Sequence, residues 1–436
     1  MKDYIEPLYR RLMASDITKR MMSGAFWSFT GTALGKFFVF LTGIICARFL
    51  GKEQFGELGM VRSTIGMFII VGAGGIGVTA TRFISLYRKD QQAHAASIYK
   101  LSTRFATTLG IITTLVLLFS TGYLANNILE SAKLAFPLTI GCIVLFLSIL
   151  NSSENGTLAG FEDFRAIAVN TLLGSIVESV GMIVGAYFFQ IEGAIAGFGL
   201  GVFALFLANK ISALKDMRKS GINGKGQTIY KEDWKLIYQY CIPATLSALT
   251  VTPVFWLIRS MLVRANDYGE LGIFEAADQW KVILLFIPGA ISQIVLPIMS
   301  SISDNITFRR TLMGNLALIG SISAILAVSS WLLAAFIMPL YGKAFNNTMP
   351  LILLAISTIP TALAQILEMT LYSRDKMWTC FMFNILWGIA AVVLSYLFLH
   401  RQQGASGIAL AILIAYCLKM ICMGSYLLIF KKGGRR

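Results

Sequence analysis

Apolar stretches long enough to cross a lipid bilayer recur from one end of the chain to the other. A membrane-spanning helix needs about 20 predominantly apolar residues, and the first such stretch runs from Met21 to Leu50. These runs lack the short alternating pattern of barrel strands, and lipid leaves a bare backbone without hydrogen-bond partners, so each run is predicted to be a helix. The sequence therefore predicts an all-α membrane protein with about twelve transmembrane helices. We place them near 21–50, 59–86, 99–122, 134–159, 165–189, 193–213, 236–262, 274–300, 311–339, 348–372, 377–400 and 405–430.

The composition supports a membrane protein and argues against a nucleic-acid-binding protein. Hydrophobic residues make up 56% of the chain and charged residues 14%, where soluble domains carry about 25% charge; the mean hydropathy is +0.71. The formal net charge of +15 is not arranged as basic runs interleaved with aromatic residues on a soluble domain, so nucleic acid is not an expected partner. We expect most of the positive charge to face anionic membrane lipids.

The distribution of Lys and Arg predicts the orientation, because cytoplasmic loops retain these residues. The segment between the sixth and seventh spans is rich in lysine, and the amino-terminal segment and the carboxy-terminal KKGGRR are basic as well. Both termini are therefore predicted to be cytoplasmic. Residues 1–20 are predicted to form an interfacial helix, and residues 431–436 a basic tail.

A short polar phrase occurs twice, as FGELGM at 55–60 and as YGELGI at 268–273. A shift of 213 residues also places the first span on the seventh, which predicts an internal repeat of two six-helix lobes, 21–215 and 234–430, joined by a cytoplasmic linker at 216–233. Because six is an even number, both lobes enter the membrane from the same side, as in transporters built from parallel repeats. We predict that each copy of the phrase forms an outer turn between paired helices.

Ionisable residues inside the spans are the candidate functional residues, because a charge within the bilayer is costly and usually faces a water-filled cavity or a partner. Cations in such positions suit phosphate, since the arginine fork binds its oxygens bidentately and lysine supplies a point charge. The alternative is internal pairing, as of Asp278 with Lys281, or extension of Arg62 and Arg259 to the outer interface. The proposed cationic cavity comprises Lys36, Arg62, Arg82, Arg259 and Lys281. The carboxylates available for ion coupling are Glu154, Glu178, Asp278 and Glu368.

Other chemistry finds little support. The six cysteines all lie in apolar spans and there are only two histidines, so no metal site, cofactor or catalytic group is expected. The glycine-rich GAGGIG at 72–77 lacks the soluble strand, turn and helix that dinucleotide binding needs. In a membrane helix we expect it to permit close packing or a bend.

Three stretches resemble a known family, namely ARFLGKEQFGELGM at 47–60, GAGGIGVTATRFISLY at 72–87 and LAGFEDFRAIAVNTLLGSIVE at 158–178. They are similar to the polysaccharide-exporting branch of the multidrug/oligosaccharidyl-lipid/polysaccharide (MOP) superfamily. The resemblance implies a MATE-like fold and a flippase of the bacterial cytoplasmic (inner) membrane. The implied substrate is an undecaprenyl-pyrophosphate-linked oligosaccharide repeat of an O-antigen or exopolysaccharide. A polysaccharide polymerase and chain-length machinery are the implied protein partners.

Two other functions stay open at this point. A cation-coupled multidrug or small-molecule exporter of the same superfamily would be expected to have an acidic cavity, whereas cations dominate the deep positions of the first lobe. A membrane enzyme such as a repeat-unit polymerase would usually display a large outer loop, and no outer loop here exceeds about fifteen residues.

Overall fold

The computed structural model describes residues 16–222, 249–301, 304–374 and 376–429, together with the single positions 230, 233, 234, 241 and 245. In this part of the chain the fold is made of helices and contains no strand. The α-helices are α1 (Asp16–Ala73), α2 (Ile76–Tyr87), α3 (Gln92–Tyr123), α4 (Ala135–Phe161), α5 (Phe164–Lys219), α6 (Thr252–Ala265), α7 (Tyr268–Leu284), α8 (Phe286–Ser301), α9 (Asn305–Ile337), α10 (Met349–Tyr372), α11 (Met377–His400) and α12 (Gly404–Ile429).

Two of these helices are each long enough for two crossings. Helix α1 has 58 residues and α5 has 56, which at about 1.5 Å per residue is more than twice the thickness of a hydrocarbon core. Each contains a non-helical position, at Gly51 in α1 and at Phe189 and Gln190 in α5. Gly51 has φ 72°, a left-handed value that glycine adopts without a steric penalty. The first two predicted spans therefore meet at Gly51, and the fifth and sixth meet at Gln190.

The predicted fold class is confirmed. Eight helices of the described chain are long and apolar enough to span a membrane, and α1 and α5 each supply two of the predicted spans. The seventh predicted span, 236–262, lies largely outside the described residues before α6 begins at Thr252. Most of the predicted interfacial helix, the middle of the linker and the basic tail also lie outside them.

The second and eighth predicted spans are each broken in the middle. Helix α1 ends at Ala73 and α2 begins at Ile76, so the break falls on Gly74 and Gly75, as the glycine-rich stretch predicts. The eighth span breaks between Leu284 and Phe286, where Pro288 has no N–H for the helical hydrogen bond to the carbonyl of residue 284. The two breaks lie at equivalent places in the repeat.

The helices form two packed groups, which we call the N-lobe (α1–α5) and the C-lobe (α6–α12). Within the N-lobe, α5 packs on α1 and α4; within the C-lobe, α12 packs on α10 and α11. The most extensive contact between the lobes joins α1 to α7. We use the predicted sides of the membrane to name the ends of the molecule, so Gly51 lies at the outer end.

The prediction that the repeated phrase forms an outer turn is wrong. Both copies are helical, because the chain reverses at Gly51, before the first copy, and at Asn266 and Asp267, before the second. The side chain of Asp267 accepts a hydrogen bond from the N–H of Glu270 at 2.7 Å and so caps α7. The glycines of the phrase serve helix packing instead of chain reversal.

The orientation remains a prediction that reporter fusions test. Fusions at Ser220 and after Arg436 should report a cytoplasmic location, and one at Lys343 an external location. The reason is the excess of Lys and Arg in the loops predicted to be cytoplasmic, which acts most strongly in short loops. An external signal at Ser220 would reverse the assignment of the two ends.

The central cavity

A cavity with a volume of about 800 Å³ lies between the two lobes. This is within the size range of ligand-binding sites. Helix α1 forms the N-lobe wall with α5, and α6, α7, α10 and α12 form the C-lobe wall. The polar residues that line it are Thr32, Lys36, Arg62, Ser63, Thr171, Ser175, Thr252, Arg259, Glu275, Asp278, Gln279, Lys281, Thr361, Gln365 and Tyr416.

Lys36 reaches across the cavity from the middle of the first span. Its ammonium group lies 5.1 Å from the centre of the Phe286 ring of the C-lobe, at the break in the eighth span. The side chain is exposed to the cavity, and no carboxylate of the described residues pairs with it. The middle of the predicted span is too far from the head groups for the side chain to reach them, so we expect a water-filled cavity to solvate its charge.

Arg62 is the second cation of the N-lobe wall. One of its guanidinium nitrogens lies 3.4 Å from a carboxylate oxygen of Glu178 on α5, and the guanidinium stacks 4.8 Å from the centre of the Phe198 ring. About 30% of the Arg62 side chain is exposed, compared with 14% for Glu178. Arg62 is therefore anchored on one side and open to the cavity on the other.

The C-lobe wall carries a network of four charges. Arg259 on α6 donates to Glu275 at 2.5 Å and to Asp278 at 3.0 Å, and Lys281 lies 3.6 Å from the other oxygen of Asp278. Glu275, Asp278 and Lys281 share one face of α7 because they are three residues apart. The interpretation that Asp278 pairs with Lys281 is thus what the geometry shows. Buried cations and carboxylates neutralise each other in this wall.

The cavity nevertheless has a positive balance. Its described lining contains four cations, namely Lys36, Arg62, Arg259 and Lys281, and two carboxylates; Glu178 beside Arg62 offsets one more charge. Because the C-lobe charges cancel, the excess belongs to the N-lobe wall, and Lys36 carries it. A site of this polarity favours an anionic ligand.

Three predicted site residues lie elsewhere. Arg82 is on α2, with its guanidinium 5.8 Å from the Phe83 ring centre, and is not among the lining residues. Glu154 is buried within the N-lobe, where Tyr99 donates a hydrogen bond to it at 3.3 Å. Glu368 is within the C-lobe.

Lys419 on α12 is a buried charge that the sequence analysis missed. Its ammonium group lies 2.8 Å from Glu368, and its side chain is only 7% exposed. The signal was present, since Lys419 is an ionisable residue within the last predicted span. Its partner holds it inside the C-lobe, so it does not line the cavity.

Comparison of the sequence with known protein families assigns the chain to a family. A family model described as "Polysaccharide biosynthesis protein" matches residues 21–303, which is more than half of the chain and includes every residue discussed for the N-lobe wall. The chain belongs to this family. The predicted resemblance to the polysaccharide branch of the MOP superfamily is confirmed.

Individual relatives match over a shorter length. The chain is 28% identical over 195 residues to the EPS I polysaccharide export inner membrane protein EpsE of Ralstonia solanacearum. It is 26% identical over 192 residues to the EpsE protein of Ralstonia nicotianae. Each alignment covers 43% of this chain and 44% of the relative, so the match spans less than half of either protein.

Solved structures confirm the fold over nearly the whole length. An inward-facing multidrug resistance MATE family transporter of the MOP superfamily matches with a TM-score of 0.80 and 16% identity, covering 93% of this chain and 99% of that one. The outward-facing conformation of such a transporter gives a TM-score of 0.70 with 17% identity over 98% of each chain. A MOP superfamily transporter from Pyrococcus furiosus, described as having a binding pocket of reversed polarity, gives 0.69 with 17% identity over 95% and 96%. At these identities the likeness concerns the fold.

Proposed function

We propose that this protein is a transporter of the inner membrane that moves an oligosaccharide linked to undecaprenyl pyrophosphate from the cytoplasmic to the outer face. The observation that carries the proposal is the positive balance of the central cavity, in which no carboxylate of the described residues pairs with Lys36. A pyrophosphate supplies the missing negative charge. The family and the name of the Ralstonia relatives, which are polysaccharide export proteins, support a polysaccharide-related substrate.

In this proposal the N-lobe wall binds the phosphates. Lys36 provides a point charge, and Arg62, held in place by Glu178, presents a planar donor set to the phosphate oxygens. Thr32, Thr171 and Ser175 add hydroxyl groups to the same wall. The neutral network and the amides of the opposite wall are suited to the hydroxyl groups of a sugar, which form hydrogen bonds without needing a net charge.

Transport follows from movement of the lobes around this site. The N-lobe and C-lobe rock about the cavity and expose it first to the cytoplasm and then to the outer side. The isoprenoid tail stays in lipid, and a lateral opening between the lobes lets it follow the head group. Two of the carboxylates predicted for ion coupling pair with cations of the cavity, Glu178 with Arg62 and Asp278 with Arg259 and Lys281. Glu154 and Glu368 lie inside the lobes. In this scheme Arg82 is a cation on the entry side.

The drug-exporter alternative is not favoured. An exporter of cationic drugs needs a cavity that attracts positive charge, whereas the described lining here is positive on balance. The MATE transporters share the fold at 16 to 18% identity, while the family match and the named relatives concern polysaccharide.

A strain that lacks this protein tests the proposal. We expect undecaprenyl-linked repeat units to accumulate on the cytoplasmic leaflet, because their charged heads cross lipid only very slowly without a carrier, and surface polysaccharide to be lost. Oriented vesicles are treated with a membrane-impermeant, sugar-oxidising reagent, and the lipids are then extracted. The labelled fraction gives the distribution of repeat units between the leaflets. Complementation with the intact gene is the control. Repeat units that still reach the outer leaflet in the deletion strain would refute the proposed substrate.

A further inference from the structure

Two arginines join the lobes at the predicted outer end, each reaching from one lobe into the other. Arg48, at the end of the first span, donates to the carbonyl of Leu340 at 2.6 Å. Arg264, in the last turn of α6, donates to the carbonyls of Asn127 at 2.8 Å and Ile128 at 3.1 Å. Each lobe thus contributes one arginine and accepts hydrogen bonds from the arginine of the other lobe.

The two acceptor sites are equivalent in the internal repeat. Asn127 and Leu340 are 213 residues apart, the same shift that superimposes the two copies of the GELG phrase. Each acceptor carbonyl lies in a short irregular turn that follows a long helix, the π-helical turn Leu124–Ile128 in the N-lobe and the 3-10 turn Met338–Tyr341 in the C-lobe. The arrangement is therefore a pair of reciprocal contacts and not a single chance hydrogen bond.

The repeated phrase forms the contact beneath these arginines. A Cβ atom added to Gly56 would overlap the carbonyl oxygen of Tyr268 and lie 2.8 Å from the backbone nitrogen of Gly272. A Cβ added to Gly272 would overlap the carbonyl of Lys52 and lie 3.3 Å from the backbone nitrogen of Gly56. Glycine allows two helix backbones to approach this closely. The first copy of the phrase thus packs directly on the second.

Aromatic groups close the space around this crossing. The Phe55 ring lies 6.1 Å from both Tyr341 and Phe345 of the C-lobe, and the hydroxyl of Tyr268 donates to the carbonyl of Leu129 in the N-lobe at 2.5 Å. Phe55 also lines the central cavity. The crossing therefore lies between the cavity and the outer end of the molecule.

We propose that Arg48, Arg264, Gly56 and Gly272 form an outer gate, which holds the lobes together at the outer end and must open to release the transported molecule. This inference rests on the proposed transport cycle for the need to open, but its geometry does not depend on the substrate. The arginines donate to carbonyls at exposed positions, and Arg264 also lies 4.0 Å from the exposed carboxylate of Glu130 in the N-lobe; water can replace each of these partners when the lobes separate. The glycines fix the register in which the lobes close again.

Distances between the outer loops test the gate. Spin labels are attached at Asn126→Cys and Lys343→Cys, which are exposed positions on opposite lobes, after the six native cysteines are replaced. Pulsed electron paramagnetic resonance in nanodiscs without substrate then measures the distance between the two labels. We expect a mainly short distance in the parent protein. Arg48→Ala with Arg264→Ala should shift the ratio of closed to open molecules at least tenfold towards the longer distance, because several charge-assisted hydrogen bonds are lost. Arg401→Ala, an exposed change in another predicted outer loop, is the matched control and should leave the distribution unchanged.

The glycines provide an independent arm of the same experiment. Gly56→Ala should also populate the longer distance, because its methyl group cannot fit against Tyr268. Gly122→Ala is the control, since a Cβ there meets nothing within 4 Å. The arginine variants alter only exposed side chains, so they remain informative if Gly56→Ala does not fold. An unchanged distance distribution in the double arginine variant would overturn the gate. A shifted distribution in that variant, together with a parent protein that moves no lipid-linked sugar, would keep the gate and refute the proposed substrate.

Discussion

Lys36→Ala should reduce export of surface polysaccharide about a hundredfold while the protein stays in the membrane at normal abundance. In the proposed complex the ammonium of Lys36 pairs with the pyrophosphate; losing one partner of such a pair costs roughly 2 to 5 kcal/mol of binding, and about 2.7 kcal/mol corresponds to a hundredfold loss. The abundance should not change, because Lys36 has no counter-ion in the described chain and its loss leaves no carboxylate unpaired. Surface polysaccharide and membrane abundance are measured in the same complemented deletion strain.

The substitution series at this position separates charge from packing. Lys36→Arg should retain part of the activity, since it keeps the charge but adds a larger planar group. Lys36→Glu should be worse than Lys36→Ala, because it places a negative charge where the proposed substrate would bind its phosphates. Lys343→Ala, on an exposed loop, is the control for loss of a lysine. Normal export by Lys36→Ala would remove the main support for a cationic cavity, and disappearance of the protein would make Lys36 a structural residue.

Asp278→Ala should destabilise the protein by about 3 to 5 kcal/mol, the range for a buried ion pair that loses one partner. Asp278 is the only carboxylate of the network that contacts both Arg259 and Lys281. Its removal leaves Lys281, which is 6% exposed, without its counter-ion. The purified protein in detergent should therefore unfold at a clearly lower temperature than the parent.

A second substitution tests whether the unpaired lysine causes the loss of stability. Adding Lys281→Met to Asp278→Ala should recover part of the stability, because the buried ammonium is then gone. Glu53→Ala removes an exposed carboxylate from α1 and is the control. A melting temperature for Asp278→Ala equal to that of the control would show that the network does not stabilise the C-lobe.

The sequence predicts the helices well, because lipid offers no hydrogen bonds to a bare backbone. Lys36 could be selected from its depth alone, and the structure places it in the cavity. Local spacing indicates the pairing of Asp278 with Lys281, which are three residues apart, but not the partners from other helices. The attachment of Arg62 to Glu178 and of Arg259 to Glu275 depends on how α1 packs on α5 and α6 on α7, which no local spacing encodes.

The misplaced turn has a related cause. Glycine permits both chain reversal and close helix packing. The residue types of FGELGM are therefore compatible with either role. What decides between them is the partner that the glycines face. Gly56 faces Gly272 in the other lobe, and only the folded chain brings these residues together.

Because the phrase packs on its own copy, the contact between the lobes has the geometry of an isologous interface, the kind found in a twofold homodimer. In a true homodimer every substitution appears on both sides, so the two walls of a shared cavity must carry the same charges. Fusion of both halves in one chain removes this constraint. At the repeat shift of 213, the position of Lys36 is taken by Leu249, and that of Arg62 by Glu275. The molecule thus keeps a nearly symmetric closure around an asymmetric interior, and an anion between the unlike walls has a defined orientation.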